Sequence, residues 1–250
     1  MGAVYRAQDR HTGQPVALKL LRDAGPRERQ RFLRESRLLC ELCHPHIVAY
    51  VAHGSAEDGH PYLAMEWLEG EDLSRHLSRG PLSLAAAMQI VHRVAAALAL
   101  AHGGGVIHRD LKPTNLFLCN GDPARVKVLD FGIARRLSRS QALTQSGALI
   151  GTPEYMAPEQ ARGEGAVGPA VDIFALGCVL YECLTGRPPF QGEHLAAVLI
   201  KILLEEPEPV ERWRPGVPVA LSGLLTRMLA IFFKCCISAR RTFQAAGNSK

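Results

Sequence analysis

The eight residues His108-Arg-Asp-Leu-Lys-Pro-Thr-Asn115 decide how this chain is read. One short loop holds a carboxylate (Asp110), a cation two residues on (Lys112) and an amide (Asn115). A carboxylate can take a proton from a hydroxyl, a lysine can neutralise developing anionic charge, and an amide oxygen is a hard donor for a divalent cation. Asp and Asn also cap loops through local backbone bonds, but capping does not require these eight residues in this order.

Working outward, the same kind of chemistry recurs on both sides. Upstream, Val16-Ala-Leu-Lys19 sets a lysine on a strand, and Glu35 follows on a helix. Downstream, Asp130-Phe-Gly132 adds a second carboxylate after a strand. Gly151-Thr-Pro-Glu-Tyr-Met-Ala-Pro-Glu159 lies in the long Gly/Ser/Thr/Pro-rich stretch that runs from Asp130 to about Gly168. Phosphoryl transfer needs positioned phosphates, metals on oxygen ligands and a carboxylate near the attacking hydroxyl. A lone lysine on a strand or a lone Asp-Phe-Gly is weak; the ordered set is specific.

The elements around these motifs change character along the chain. Gly2–Ala7 and Pro15–Leu21 read as strands joined by a His11-Thr-Gly turn, and Pro26 to Leu42 as a helix with Phe32, Leu38, Leu39 and Leu42 on its apolar positions. Strands are expected at Ile47–Val51 and Pro61–Trp67, with Glu66 to Gly70 as a connector. From Asp72 the pattern turns helical: Leu84–His102, Val171–Leu184, His194–Leu204 and Pro218–Leu229, with short strand-like runs at Val106–Ile107 and Val126–Leu129. A strand-rich front and a helix-rich back predict an α+β chain of two lobes with a cleft between them.

Composition narrows the class. The chain has 250 residues, 47% hydrophobic, with a net charge of +5. That is ample for one globular unit, and too mildly basic for the dense stripe of a nucleic-acid binder, so no nucleic-acid partner is expected. Seven cysteines, an odd number, read as free thiols in a reducing cytoplasm, and Cys40 and Cys43 read as helix residues rather than a metal or redox pair. No confident membrane span is expected, because the apolar run from Leu224 to Ala239 is broken by Arg227 and Lys234.

The ordered motifs resemble the protein kinase superfamily, and most closely the bacterial eukaryotic-like Ser/Thr kinases, of which GTPEYMAPEQ (151–160) and DIFALGCVLYECLTGRPPF (172–190) are typical. The resemblance implies a bilobal catalytic domain over 1–230, with a small β-rich lobe at 1–68 and a larger helical lobe at 69–230, followed by a tail at 231–250. It implies ATP and Mg2+ (or Mn2+) as cofactors, ATP and protein substrates as partners, and transfer of the γ-phosphoryl group to Ser/Thr hydroxyls, including autophosphorylation. Lys112 two residues after the base and Thr152 resemble the Ser/Thr pattern rather than the Tyr one.

The roles carried over are these. Lys19 binds the α- and β-phosphates and pairs with Glu35, Asp110 is the base, Lys112 neutralises the γ-phosphoryl group, and Asn115 and Asp130 are metal ligands. Val4 and Ala17 from above and Phe117 from below sandwich the adenine. Met65 sits at the back, and Glu66 to Leu68 offer backbone hydrogen bonds. His108 and Phe131 stack behind the site with Leu39 and Tyr50 above, and Asp172 supports the catalytic loop. Arg109 pairs with a phosphate on Thr144 or Ser146, the implied autophosphorylation sites.

Both ends depart from the family pattern. Of the glycine-rich phosphate loop, Gly2 and Val4 remain, so weakened ATP binding is expected. After Leu229 the usual Asp-Pro turn and its arginine give way to Ile231-Phe-Phe-Lys-Cys-Cys, leaving Glu159 without its expected partner unless Arg240 or Arg241 serves. A kinase-like module that binds partners without catalysis is therefore the alternative. A small-molecule phosphotransferase is disfavoured by the Gly151–Glu159 segment, a peptide-docking platform in protein kinases.

Overall fold

The sheet that carries Lys19 is built from four antiparallel strands. In the computed structural model, which describes residues 3–21, 25–131, 153–165 and 167–230, they are β1 (Ala3–Gln8), β2 (Pro15–Leu20), β3 (Tyr50–Ser55) and β4 (Pro61–Glu66), ordered β1-β2-β4-β3. The β1–β2 turn is closed by Asp9, whose carboxylate accepts from His11 N–H and the Thr12 hydroxyl. The register sets Val4 opposite Lys19 and Ala17 opposite Met65. Thus the residues expected around the base and phosphates share adjoining strands.

Helix α1 (Pro26–Cys40) follows β2 and buries Phe32, Ser36 and Leu39, a spacing of four and three that keeps them on one face. Leu38, expected among its apolar positions, lies on the other side and is exposed. The third strand begins later than expected. Ile47 and Val48 are buried, but Ile47 forms a parallel bridge to Val128 instead of joining the sheet.

A second sheet, β5 (Gly70–Asp72), β6 (Leu116–Cys119) and β7 (Val126–Val128), frames the catalytic loop. Asp72 then caps α2 (Leu73–Leu77) by accepting from Arg75 N–H at 3.0 Å. Gly70 has φ 142°, a backbone that side chains rarely adopt. A Cβ there would collide with the Leu118 carbonyl oxygen and lie 2.8 Å from Asn120 N. Val106–Ile107 forms no strand.

Helix α3 (Leu84–Gly103) is long and apolar enough to cross a membrane by length and composition. Here Ala87, Ile90, Val91, Val94, Ala97, Leu98 and Ala101 are buried at helical spacing, as in a core helix. Ser83 Oγ accepts from Ala86 N–H at its start. Downstream lie the short α4 (Pro158–Ala161), then α5 (Ala170–Thr185), α6 (Leu195–Leu204) and α7 (Val219–Leu229). Helix α5 buries twelve of its residues, from Val171 to Leu184, and ends on Gly186 at φ 77°. Full burial of a Leu or Phe side chain contributes about 1.5–3 kcal/mol, so α5 is the centre of its core.

The chain divides into two compact units. One comprises residues 1–79 with 88–151, the other 80–87 with 152–250. All the expected nucleotide-site and catalytic residues belong to the first.

Candidate active site

Three short elements bring the reactive side chains together. Strand β2 presents Lys19, the 108–115 loop ends in a 3-10 turn at Pro113–Asn115, and Asp130 follows β7. The loop is held on both sides. Leu129 N–H donates to Asn115 O at 2.8 Å, and the Asp110 N–H donates to His108 Nδ1 at 3.3 Å. The His108 ring hydrogen therefore sits on Nε2, which donates to Leu129 O at 2.8 Å. His108 also packs against Phe131 at 4.9 Å between ring centroids, as expected from sequence.

Asp110 and Lys112 face each other across this turn, Oδ2 to Nζ, at 2.9 Å. Asn115 donates from Nδ2 to Asp110 O at 2.7 Å, and more weakly to Asp110 Oδ2 at 3.4 Å. These bonds use the NH2 group of Asn115 and leave its amide oxygen available as a donor to a cation. Arg109 and Asp130 adopt left-handed φ values of 65° and 49°, uncommon for non-glycine residues and typical of functional loops.

Lys19 Nζ lies 2.6 Å from Asp130 Oδ1. Lys19 is thus ion-paired to Asp130. Glu35 is half-buried on α1 and has an interaction of its own. A pairing across 111 residues is set by topology, not by local pattern. Tyr50 is packed next to Asp130, and burial with that neighbouring carboxylate pushes its hydroxyl pKa well up. Leu39 is buried on α1.

The pocket-wall positions are placed as follows. Met65 is buried on β4, Ala17 and Phe117 are half-buried on β2 and β6, and Val4 is exposed on β1. Glu66 and Leu68 are half-buried at and just beyond the end of β4. Glu66, expected to act through its backbone, also uses its side chain. Its Oε1 accepts from Ala49 N–H at 2.7 Å and from Lys127 Nζ at 2.6 Å. Lys127 was not legible as a site residue; the one signal is a lone cation inside the apolar run Val126-Lys-Val-Leu129. Gly2, Thr144 and Ser146 lie outside the described residues.

In the other unit, Asp172 is buried in the first turn of α5. Glu159 is 3% exposed, and neither carboxylate oxygen has a hydrogen-bond partner among the described residues. Burial raises its pKa. Arg240 and Arg241 lie outside the described residues.

The donor set fits a metal-bound polyphosphate. Asn115 Oδ1 and the Asp130 carboxylate are hard oxygen donors, and the Lys19 and Lys112 ammonium groups complement phosphate charge.

The comparisons agree with this geometry. A family model described as "Protein kinase domain" matches residues 1–246, and the chain belongs to that family. It is 42% identical over 241 residues to serine/threonine-protein kinase pkn3 of Myxococcus xanthus, covering 92% of this chain and 44% of that protein. Serine/threonine-protein kinase PknB of Mycobacterium leprae (strain TN) is 39% identical, with 92% and 38% covered. Among solved structures, the crystal structure of Rad53 1-466 in complex with AMP-PNP superposes with a TM-score of 0.74 at 28% identity, covering 91% of this chain and 56% of that one. The chain spans less than half the length of these two curated relatives.

Proposed function

We propose that the chain is an ATP-dependent protein Ser/Thr kinase. The observation that carries the reading is two ion pairs in one compact unit, Lys19–Asp130 at 2.6 Å and Lys112–Asp110 at 2.9 Å, with Asn115 tied to the Asp110 backbone. The set supplies each requirement of phosphoryl transfer with a separate side chain.

In this reading Lys19 holds the α- and β-phosphates. Asn115 and Asp130 hold the divalent metal, proposed as Mg2+ or Mn2+, which when bound neutralises charge on the phosphates. Asp110 accepts the proton of the acceptor hydroxyl as that oxygen bonds to the γ-phosphorus. The bond from phosphorus to the β–γ bridging oxygen breaks, and ADP leaves. Lys112, beside Asp110, neutralises the transferred group. Val4, Ala17, Met65 and Phe117 enclose the base, with backbone hydrogen bonds from Glu66 to Leu68, and Glu35 supports Lys19. Gly2 contributes backbone to the phosphate loop. Residues 1–68 act as the nucleotide lobe, 69–230 as the acceptor lobe and 231–250 as a tail. Thr144 and Ser146 are the proposed autophosphorylation sites.

The test is phosphoamino-acid analysis after incubation with γ-labelled ATP, Mg2+ and a generic protein acceptor. Label on Ser and Thr supports the reading. Label on Tyr alone refutes the acceptor class, and nucleotide binding without transfer points to the non-catalytic module.

A further inference from the structure

We propose that the Glu66–Lys127 ion pair is a positioning device for the nucleotide pocket, locking the pocket's rear wall to its floor. The proposal rests on the kinase reading and adds to it a residue pair that acts through the backbone rather than by touching the nucleotide.

The wiring is continuous. Glu66 Oε1 accepts from Lys127 Nζ at 2.6 Å and from Ala49 N–H at 2.7 Å, while Glu66 N–H donates to Ala49 O at 2.9 Å. Lys127 Nζ also reaches Ile47 O at 3.5 Å. Strand β7 is stitched to the same stretch, with Val48 N–H on Val128 O at 3.0 Å and Val128 N–H on His46 O at 2.8 Å. Along its other edge β7 pairs with β6, and the register puts Lys127 opposite Phe117. The proposed floor residue and the proposed base-binding backbone are therefore joined through Lys127.

Lys127 and Glu66 are 20% and 30% exposed, so water screens them only in part. Without the ammonium, the Glu66 carboxylate keeps only the Ala49 bond among the described residues, and the backbone from 66 to 68 must be ordered by the nucleotide itself. Ordering on binding weakens binding, so the loss falls on ATP and not on the acceptor.

The test compares wild type with Lys127→Met, Lys127→Arg and Glu66→Gln by steady-state kinetics, calorimetric ATP affinity and Tm. Lys127→Met is expected to raise KM and Kd for ATP about fivefold, with kcat within about twofold and acceptor KM unchanged. Glu66→Gln should show the same split, and Lys127→Arg should return to near wild type. Unchanged ATP affinity in a folded Lys127→Met variant overturns the proposal. So does a variant set that lowers Tm while moving both KM values alike, since the pair then serves stability alone. If Lys127→Met does not fold, the same split is required of Glu66→Gln. Calorimetry keeps two failures apart: wild type that binds ATP but transfers no phosphate sinks the kinase reading, whereas equal ATP affinity in wild type and variants sinks this one.

Discussion

Lys19 of β2 is ion-paired to Asp130, the first residue of the Asp-Phe-Gly motif, at 2.6 Å. The pair links a strand of the first sheet to the residue that follows β7, 111 positions away. Removing one member leaves a half-buried charge without its partner and removes a proposed phosphate or metal contact. Lys19→Met should lower kcat/KM about a hundredfold or more, by analogy with loss of a preorganised electrostatic contact. Initial rates at saturating acceptor check this, and an active Lys19→Met enzyme would refute the assigned role.

Asn115 is predicted to serve two purposes, fixing the Asp110 backbone through Nδ2 and offering Oδ1 to the metal. Asn115→Asp keeps an oxygen but sets a second acceptor against Asp110 O, so the loop bond is lost. Activity should fall about a hundredfold, with the half-maximal metal concentration displaced. Titration with Mg2+ and Mn2+ measures both.

Glu159 is buried without a hydrogen-bond partner among the described residues, and its pKa is raised by burial from an ordinary 4.5. The folded chain then holds the proton more tightly than the unfolded one. Stability is greatest below the unfolded value and falls as pH rises through the window up to the folded value. Glu159→Gln keeps the shape and removes the charge. It should unfold later than wild type at pH 7, by about 1 kcal/mol, with the difference vanishing near pH 4. Urea unfolding at the two pH values checks it; a destabilised variant at pH 7 would mean that Glu159 has a cationic partner.

How far the sequence could be read follows from how local each feature is. The 108–115 loop was legible because its reactive side chains lie within eight residues, and the His108–Phe131 packing was implied by the resemblance to the protein kinases. The Lys19–Asp130 ion pair was not, because only the path of the chain brings two residues 111 positions apart together. Strand β5 was not legible either. Gly70–Asp72 is three residues long, polar, and a strand only because β6 pairs with it. Ile47 and Val48 were read as strand from an apolar run, but their burial comes from Val128. Lys127 meets Glu66 only through the fold, 61 positions apart in sequence.

Gly70 gives the second sheet its own test. With φ 142° and the Leu118 carbonyl where a Cβ would stand, Gly70→Ala should loosen β5 from β6 and destabilise the chain by about 2 kcal/mol. Thermal unfolding measures this, and a Tm equal to wild type would show that the turn has slack.

The central claim is that Asp110 acts as the base of a phosphoryl transfer. The most direct measurement is the rate of label transfer from γ-labelled ATP to a Ser/Thr acceptor by wild type and by Asp110→Asn, purified identically. The account predicts transfer by wild type and a loss of about a thousandfold in the variant, with ATP affinity retained. Equal label in both would contradict it.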